Sequence, residues 1–326
     1  MVAAALFLSG SALADTGYYR GTIGDEPWQL ELTIDGNAVI GRLVHDWLPL
    51  SYDAGGSFEE NDGRVVARFG LTGDELSGTL IGDHGEAGTF EGTMLSQGTV
   101  TPFSFEQVAQ YVDYKFEQGN IEATSTYPFF VSPRLHEMND FVQPDLMAAQ
   151  IEFVQSAQDA DLTGDVRSEW WSDSRARIEY AAPGLLSALV TVSSYTGGAH
   201  PSLQYWSYNL ALTGTRVRPF DLADLFVAGS DWERQLSDLI IADLKQQGAA
   251  WVLDGSISSV SGPAMQVFVI SPAGLQFILP PYEVGPWVEG TYTVLLGFDE
   301  LEGLIDPDGP LRLLTPPQAS LDTEAD

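Results

Sequence analysis

From Trp28 to Ile34, apolar side chains stand at every second position (Trp28, Leu30, Leu32 and Ile34) with polar neighbours between them. A period of two is the signature of a strand with one buried face. Asp35-Gly36 then supplies a tight turn, after which Val39 and Ile40 resume the apolar pattern. Glu60-Asn61-Asp62-Gly63 marks another turn, and a Gly-Thr pair recurs at Gly21, Gly78, Gly88, Gly92 and Gly98. Tyr18 to about Phe105 is therefore expected to be an all-β meander or a small barrel. The inside of such a barrel is filled by side chains or holds one small ligand.

Near Gln110 the pattern changes. Leu135, Met138 and Val142 have helical spacing, and Leu146, Ala149 and Phe153 continue it. Pro144 between them predicts a break, with the proline in the first turn of a second helical piece. Gly184 to Tyr195 and Gln204 to Leu212 read as strands. Ser230 and Glu233 have the spacing of a capping box. They open a helix with the apolar face Leu236, Leu239, Ile240 and Leu244 and with Gly248 as its C-cap. Val267 to Ile270 and Leu275 to Leu279 are strands around the turn Ser271-Pro272-Ala273-Gly274, and Thr291 to Phe298 is the last strand. The expected class is α+β: an N-terminal all-β meander or small barrel, then an antiparallel sheet with helices packed on one face. The expected divisions are a signal peptide over 1–14, a β-rich domain over 15–112, an α+β domain over 113–312 and an acidic, Pro-rich tail over 313–326.

Composition narrows the function. The 326 residues carry 46 acids against 14 bases, a formal charge of −32, and only two lysines, Lys115 and Lys245. Such a field repels nucleic acid and attracts cationic proteins or metal cations; a surface built for saline surroundings or for solubility has the same composition. Met1 to Ala14 is a short apolar run ending in a small-x-small site before Asp15, which reads as a secretory signal peptide. No stretch reaches the roughly 20 apolar residues of a membrane-spanning helix. With no cysteine, disulfides, thiolate metal sites and a cysteine nucleophile are excluded. The expected location is periplasmic or secreted.

Residues suited to catalysis are sparse. His45, His84, His136 and His200 are scattered. His136-Glu137 begins like a zinc-protease helix, but position 140 is Asp, so the second histidine is missing. Asp83, His84 and Glu86 in a Gly-rich turn are at most a weak metal site and are read as a solvated loop. No nucleophile elbow and no phosphate-cradling loop is present. Neither catalytic residues nor a metal or other cofactor is expected.

The densest special segment is Ser193-Ser194-Tyr195-Thr196-Gly197-Gly198-Ala199-His200-Pro201, directly after a strand. Its glycines permit positive φ, and Tyr195, His200, Tyr205 and Trp206 supply aromatic and hydrogen-bonding surface. One reading is a recognition loop at a sheet end. The other is a hairpin that needs glycine for its turn, with His200 as a latch.

The order Ser-Tyr-Thr-Gly-Gly-Ala-His, then Phe220-Asp221-Leu222-Ala223-Asp224-Leu225-Phe226, then Gly274 to Pro286 with Gly290, resembles the C-terminal extracytoplasmic domain shared by the anti-sigma factor RsiV and the peptidoglycan deacetylase PdaC. Tyr127-Pro128 through Phe153 resembles the companion segment that precedes it. The resemblance covers roughly Ile121 to Ile305 and implies an α+β fold and, by analogy with RsiV, a receptor for lysozyme. The cytoplasmic segment of RsiV and the Thr-Phe-Asp-Asp-type metal motif of PdaC have no counterpart in this sequence, so neither signalling nor deacetylation is implied. The expectation is a non-catalytic binding or sensing protein of the bacterial envelope, with Tyr195, Gly197, Gly198, His200, Tyr205 and Tyr282 as binding residues. Its partner would be a cationic, lysozyme-like protein or a peptidoglycan fragment. The rivals are an envelope hydrolase with carboxylates beside His200, and a scaffold protein that assembles through its β-domain.

Overall fold

The computed structural model describes residues 15–48, 50–59, 64–71, 78–84, 88–133, 135–160, 169–182, 184–213 and 216–314. The expected signal peptide, nearly all of the expected tail, Glu86 and the side chains of Asp83 and His84 lie outside this set. The chain is mostly β. Contacts divide it into two compact units, one of residues 1–45, 50–177 and 190–204, the other of 46–49, 178–189 and 205–326.

In the first unit, β1 (Asp15–Ile23), β2 (Glu26–Asp35), β3 (Ala38–His45), β4 (Ser51–Glu59), β5 (Arg64–Leu71), β6 (Gly78–His84), β7 (Thr89–Ser96) and β8 (Thr99–Gln118) pair in sequence order. The β1–β8 pairing closes them into an eight-stranded barrel. Closure leaves no free edge in this part of the chain. The alternation read from the sequence turns Leu30, Leu32, Val39 and Leu43 inward, where Tyr19, Ala54, Ala67, Leu80, Phe90, Phe103 and Phe105 complete a filled core. Gly21 and Gly92 let neighbouring strands approach: a Cβ on either would strike the facing backbone, at Ser104 and at Ile81.

β8 is twice the length of most strands. Its first half belongs to the barrel, and its second half pairs with β9 (Ile121–Phe130), carrying the chain across positions 112 and 113 without a break. β9 and β10 (Trp170–Ala182) pair in parallel, in contrast to the wholly antiparallel sheet expected. The reason is the connection between them: parallel strands need a long crossover, here supplied by α1 (Asn139–Asp159). α1 is one continuous helix and not the two pieces expected, with Pro144 inside it on an exposed position of its second turn. Asn139 fixes its start, accepting from Phe130 N at 2.8 Å and donating to Phe130 O at 3.0 Å.

The sheet order continues through β11 (Leu185–Tyr195), β12 (Ser202–Thr213) and β13 (Arg216–Pro219). The second unit holds α2 (Trp232–Gln247) and a three-stranded antiparallel sheet of β14 (Phe268–Ser271), β15 (Gly274–Leu279) and β16 (Tyr292–Leu296). Leu236, Ile240 and Leu244 of α2 share one core with Phe268, Ile270, Leu275, Phe277, Val294 and Leu296. α2 ends at Gly248 in the left-handed region (φ +88°), as its sequence predicts. The expected capping box at Ser230 and Glu233 is not formed. Asp231 is the N-cap, and the Ser230 hydroxyl donates to Val227 O at 2.7 Å. The reciprocal box occurs earlier, between Asp221 and Asp224. Among the described residues, no helix is long and apolar enough to cross a membrane.

Candidate functional site

In the first unit, the register of β8, β9 and β10 aligns Glu117 with Glu122 and Glu122 with Trp171. One step along, Lys115 aligns with Thr124 and Thr124 with Asp173. Since side chains alternate along a strand, these residues share one face. Their neighbours in sequence, Ile121, Ala123, Ser125, Ser172 and Ser174, are buried. At the strand ends a cavity of about 320 Å³ opens, walled by Glu117, Glu122, Glu169, Asp173, Trp170 and Trp171.

The polar contacts hold this arrangement in place. Thr124 Oγ1 donates to Asp173 Oδ1 at 2.7 Å, and Arg175 Nε lies 3.0 Å from Asp173 Oδ2. Lys115 Nζ lies 3.1 Å from Glu117 Oε2 and 3.7 Å from Glu122 Oε1. The hydrogen bond and the charge of Glu117, joined by the charge of Glu122, hold the Lys115 ammonium above its ordinary pKa. Four carboxylates thus line the cavity, with Lys115 and Arg175 as the cations paired to them. Trp170 turns toward Phe153 of α1, their rings 6.4 Å apart. Trp171 stacks on Tyr195 at 6.5 Å with 27° between the planes.

That stacking joins the acidic cavity to the loop singled out from sequence. Tyr195 Oη donates to Gly198 O at 3.0 Å, and Gly197 and Gly198 have φ of +89° and +128°. His200 is exposed, and its Nδ1 donates to Pro201 O at 2.9 Å. That bond reaches only the next residue of an exposed loop. The other two expected binding residues lie in the second unit. Tyr205 Oη is hydrogen-bonded to Thr291 Oγ1 at 2.9 Å, and Tyr282 is 56 % exposed in the turn before Gly285.

Trp170, Trp171, Glu117, Glu122, Glu169 and Asp173 were not expected from sequence. The available signal was the alternation of charged residues after Trp170-Trp171, which is weak because the buried partners are serines. His136 holds local structure: its Nδ1 donates to Phe130 O at 3.2 Å. No cluster of metal-binding side chains occurs among the described residues.

This is a mostly β protein with a closed barrel and a second unit of mixed structure. Residues 223–299 match the DUF3298 family, described as "Protein of unknown function". Two of the three stretches that carried the resemblance to the RsiV and PdaC domain lie on or beside this segment: Phe220 to Phe226 overlaps its start, and Gly274 to Gly290 falls inside it. The Tyr195–His200 stretch lies before it. A solved DUF3298 family protein from Pseudomonas aeruginosa PAO1 is similar at 16 % identity, over 64 % of this chain and 96 % of its own, with a TM-score of 0.47. A member of the family from Bacteroides fragilis NCTC 9343 is similar at 14 % identity, over 63 % and 94 %, with a TM-score of 0.41. No curated protein matches the chain.

Proposed function

We propose that the chain is a non-catalytic, extracytoplasmic binding protein of the bacterial envelope that holds a cationic protein segment on the acidic face of β8, β9 and β10. One observation carries this reading: four carboxylates line a cavity around Trp171, which is itself braced by Tyr195. A basic side chain entering the cavity meets carboxylates and an aromatic face together, the pairing that favours a cation most. In this reading α1 backs the strands and leaves the acidic face to solvent, and the Tyr195–His200 loop forms its rim. The net charge of −32 speeds encounter with a basic partner and repels nucleic acid. The apolar leader expected over 1–14 and the lack of cysteine support export.

The hydrolase reading asks for carboxylates in a cleft beside His200. His200 is not among the residues that line the acidic cavity, so binding is the better-supported function. The test is retention of the purified protein on immobilised lysozyme at low and high salt. Retention at low salt that high salt abolishes is expected. No retention at low salt removes the cationic partner, and retention on peptidoglycan fragments instead assigns the face to glycan.

A further inference from the structure

We infer that the turn Pro280–Thr291 of the second unit is a second, preformed docking surface, which takes a lysine or arginine side chain flanked by apolar residues on a protein partner. The inference rests on the cationic class of partner proposed above but concerns different residues in a different unit. Tyr282 has φ +73° and is 56 % exposed. Only one other described non-glycine residue has positive φ, Gln97 in the β7–β8 hairpin turn. A bulky side chain in the left-handed region is strained, and such strain collects at sites that bind or switch. Here the strain presents the Tyr282 ring beside Trp287, with centroids 6.3 Å apart, and the residue after Trp287, Val288, is 87 % exposed.

The turn is fixed from below. Tyr282 N donates to Gly285 O at 3.0 Å, and Glu283 N to Pro280 O at 3.1 Å. Glu289 Oε2 accepts from Ala250 N at 3.2 Å and from Tyr292 Oη at 2.8 Å. A Cβ at Gly285 would strike that held carboxylate, so the glycine leaves room for it. Thr291 is held by Tyr205. A rigid pair of aromatic rings with an exposed aliphatic neighbour loses little freedom on binding.

Charge selects the occupant. From Gln246 to Leu311 the sequence contains no lysine, arginine or histidine, while Glu283 follows Tyr282 directly and is exposed. Aromatic faces beside an exposed carboxylate attract a cation, and Val288 offers apolar surface to the stem that carries it.

The test uses the whole protein labelled with 5-fluorotryptophan, with the Trp287 and Trp171 resonances assigned by substitution. It is titrated with a soluble peptide of alternating arginine and leucine, and separately with one of alternating glutamate and leucine. The Trp287 resonance is expected to shift with the arginine peptide only. A Trp287 resonance that ignores the arginine peptide, or follows both peptides equally, overturns the inference. The Trp171 resonance reads the acidic face separately: its movement without Trp287 leaves the proposed function standing, and the reverse does the opposite. Tyr282→Gly relieves the strained φ, so its melting temperature should not fall, while its affinity for the arginine peptide, read at the Trp287 resonance, should drop at least about fivefold. An unchanged affinity in that variant also contradicts the inference.

Discussion

Gln150 sits on the buried side of α1, only 1 % exposed, and neither amide atom finds a hydrogen-bond partner among the described residues. A buried polar group without a partner costs about 1–3 kcal/mol. Gln150→Leu, of similar volume, should therefore raise stability by about 1–2 kcal/mol in urea unfolding; a loss of stability would show that the amide is satisfied. Tyr18 makes a different prediction. Burial raises its pKa well above the ordinary value, opposed most by the charge of Arg42, and its hydroxyl donates to the side chain of Gln29. An acid whose folded pKa lies above its unfolded one stabilises the fold below the unfolded pKa, and that contribution is lost as pH rises. Stability should hold up to about pH 10, the ordinary tyrosine value, and fall above it. Tyr18→Phe should flatten that alkaline limb, seen as melting temperature against pH. At this scale the Tyr195–His200 loop was legible because Gly197 and Gly198 announce positive φ locally. Nothing local marked Trp171, whose stacking partner is 24 positions away, or Tyr282 as the strained residue of its turn.

Among the elements, legibility followed how far the buried face is apolar. β2 and β3 of the barrel, and α2, show their periods because Leu30, Leu32, Leu43, Leu236 and Ile240 bury hydrocarbon. β9 and β10 bury Ser125, Ser172 and Ser174 beside the acidic face, and Ser174 Oγ donates to Ser125 Oγ at 2.8 Å, so at these positions the alternation is polar on both sides. Their parallel pairing joins residues 49 apart, which no local pattern reveals. The acidic face is built on that pairing, and so it was hidden with it. α1 makes the crossover possible, and Asn139 anchors its start to β9 by mimicking a pairing strand. Asn139→Ala leaves the N–H of the buried Phe130 without this partner, while its carbonyl keeps His136, at a cost of about 1–3 kcal/mol. Chemical denaturation checks this, and a change below about 0.5 kcal/mol would mean that the anchor is dispensable.

For the whole molecule, the barrel was expected as a meander or small barrel and is a closed, filled one. The DUF3298 segment lies wholly in the second unit, whereas the acidic face lies in the first. The proposed binding function therefore draws on the part of the chain outside the family match, and it must be tested there. With 46 acids against 14 bases, affinity for a basic partner should weaken steeply with salt. The most direct measurement is the affinity of the intact protein for lysozyme across a salt series, beside Trp171→Ala and the pair Glu117→Gln with Glu122→Gln. The account predicts binding at low salt, at least about tenfold weaker in Trp171→Ala, the loss typical of an aromatic anchor, and a shallower salt dependence in the double variant, all three proteins remaining folded. Equal affinity of Trp171→Ala and the unaltered protein, or no binding at low salt, would contradict it.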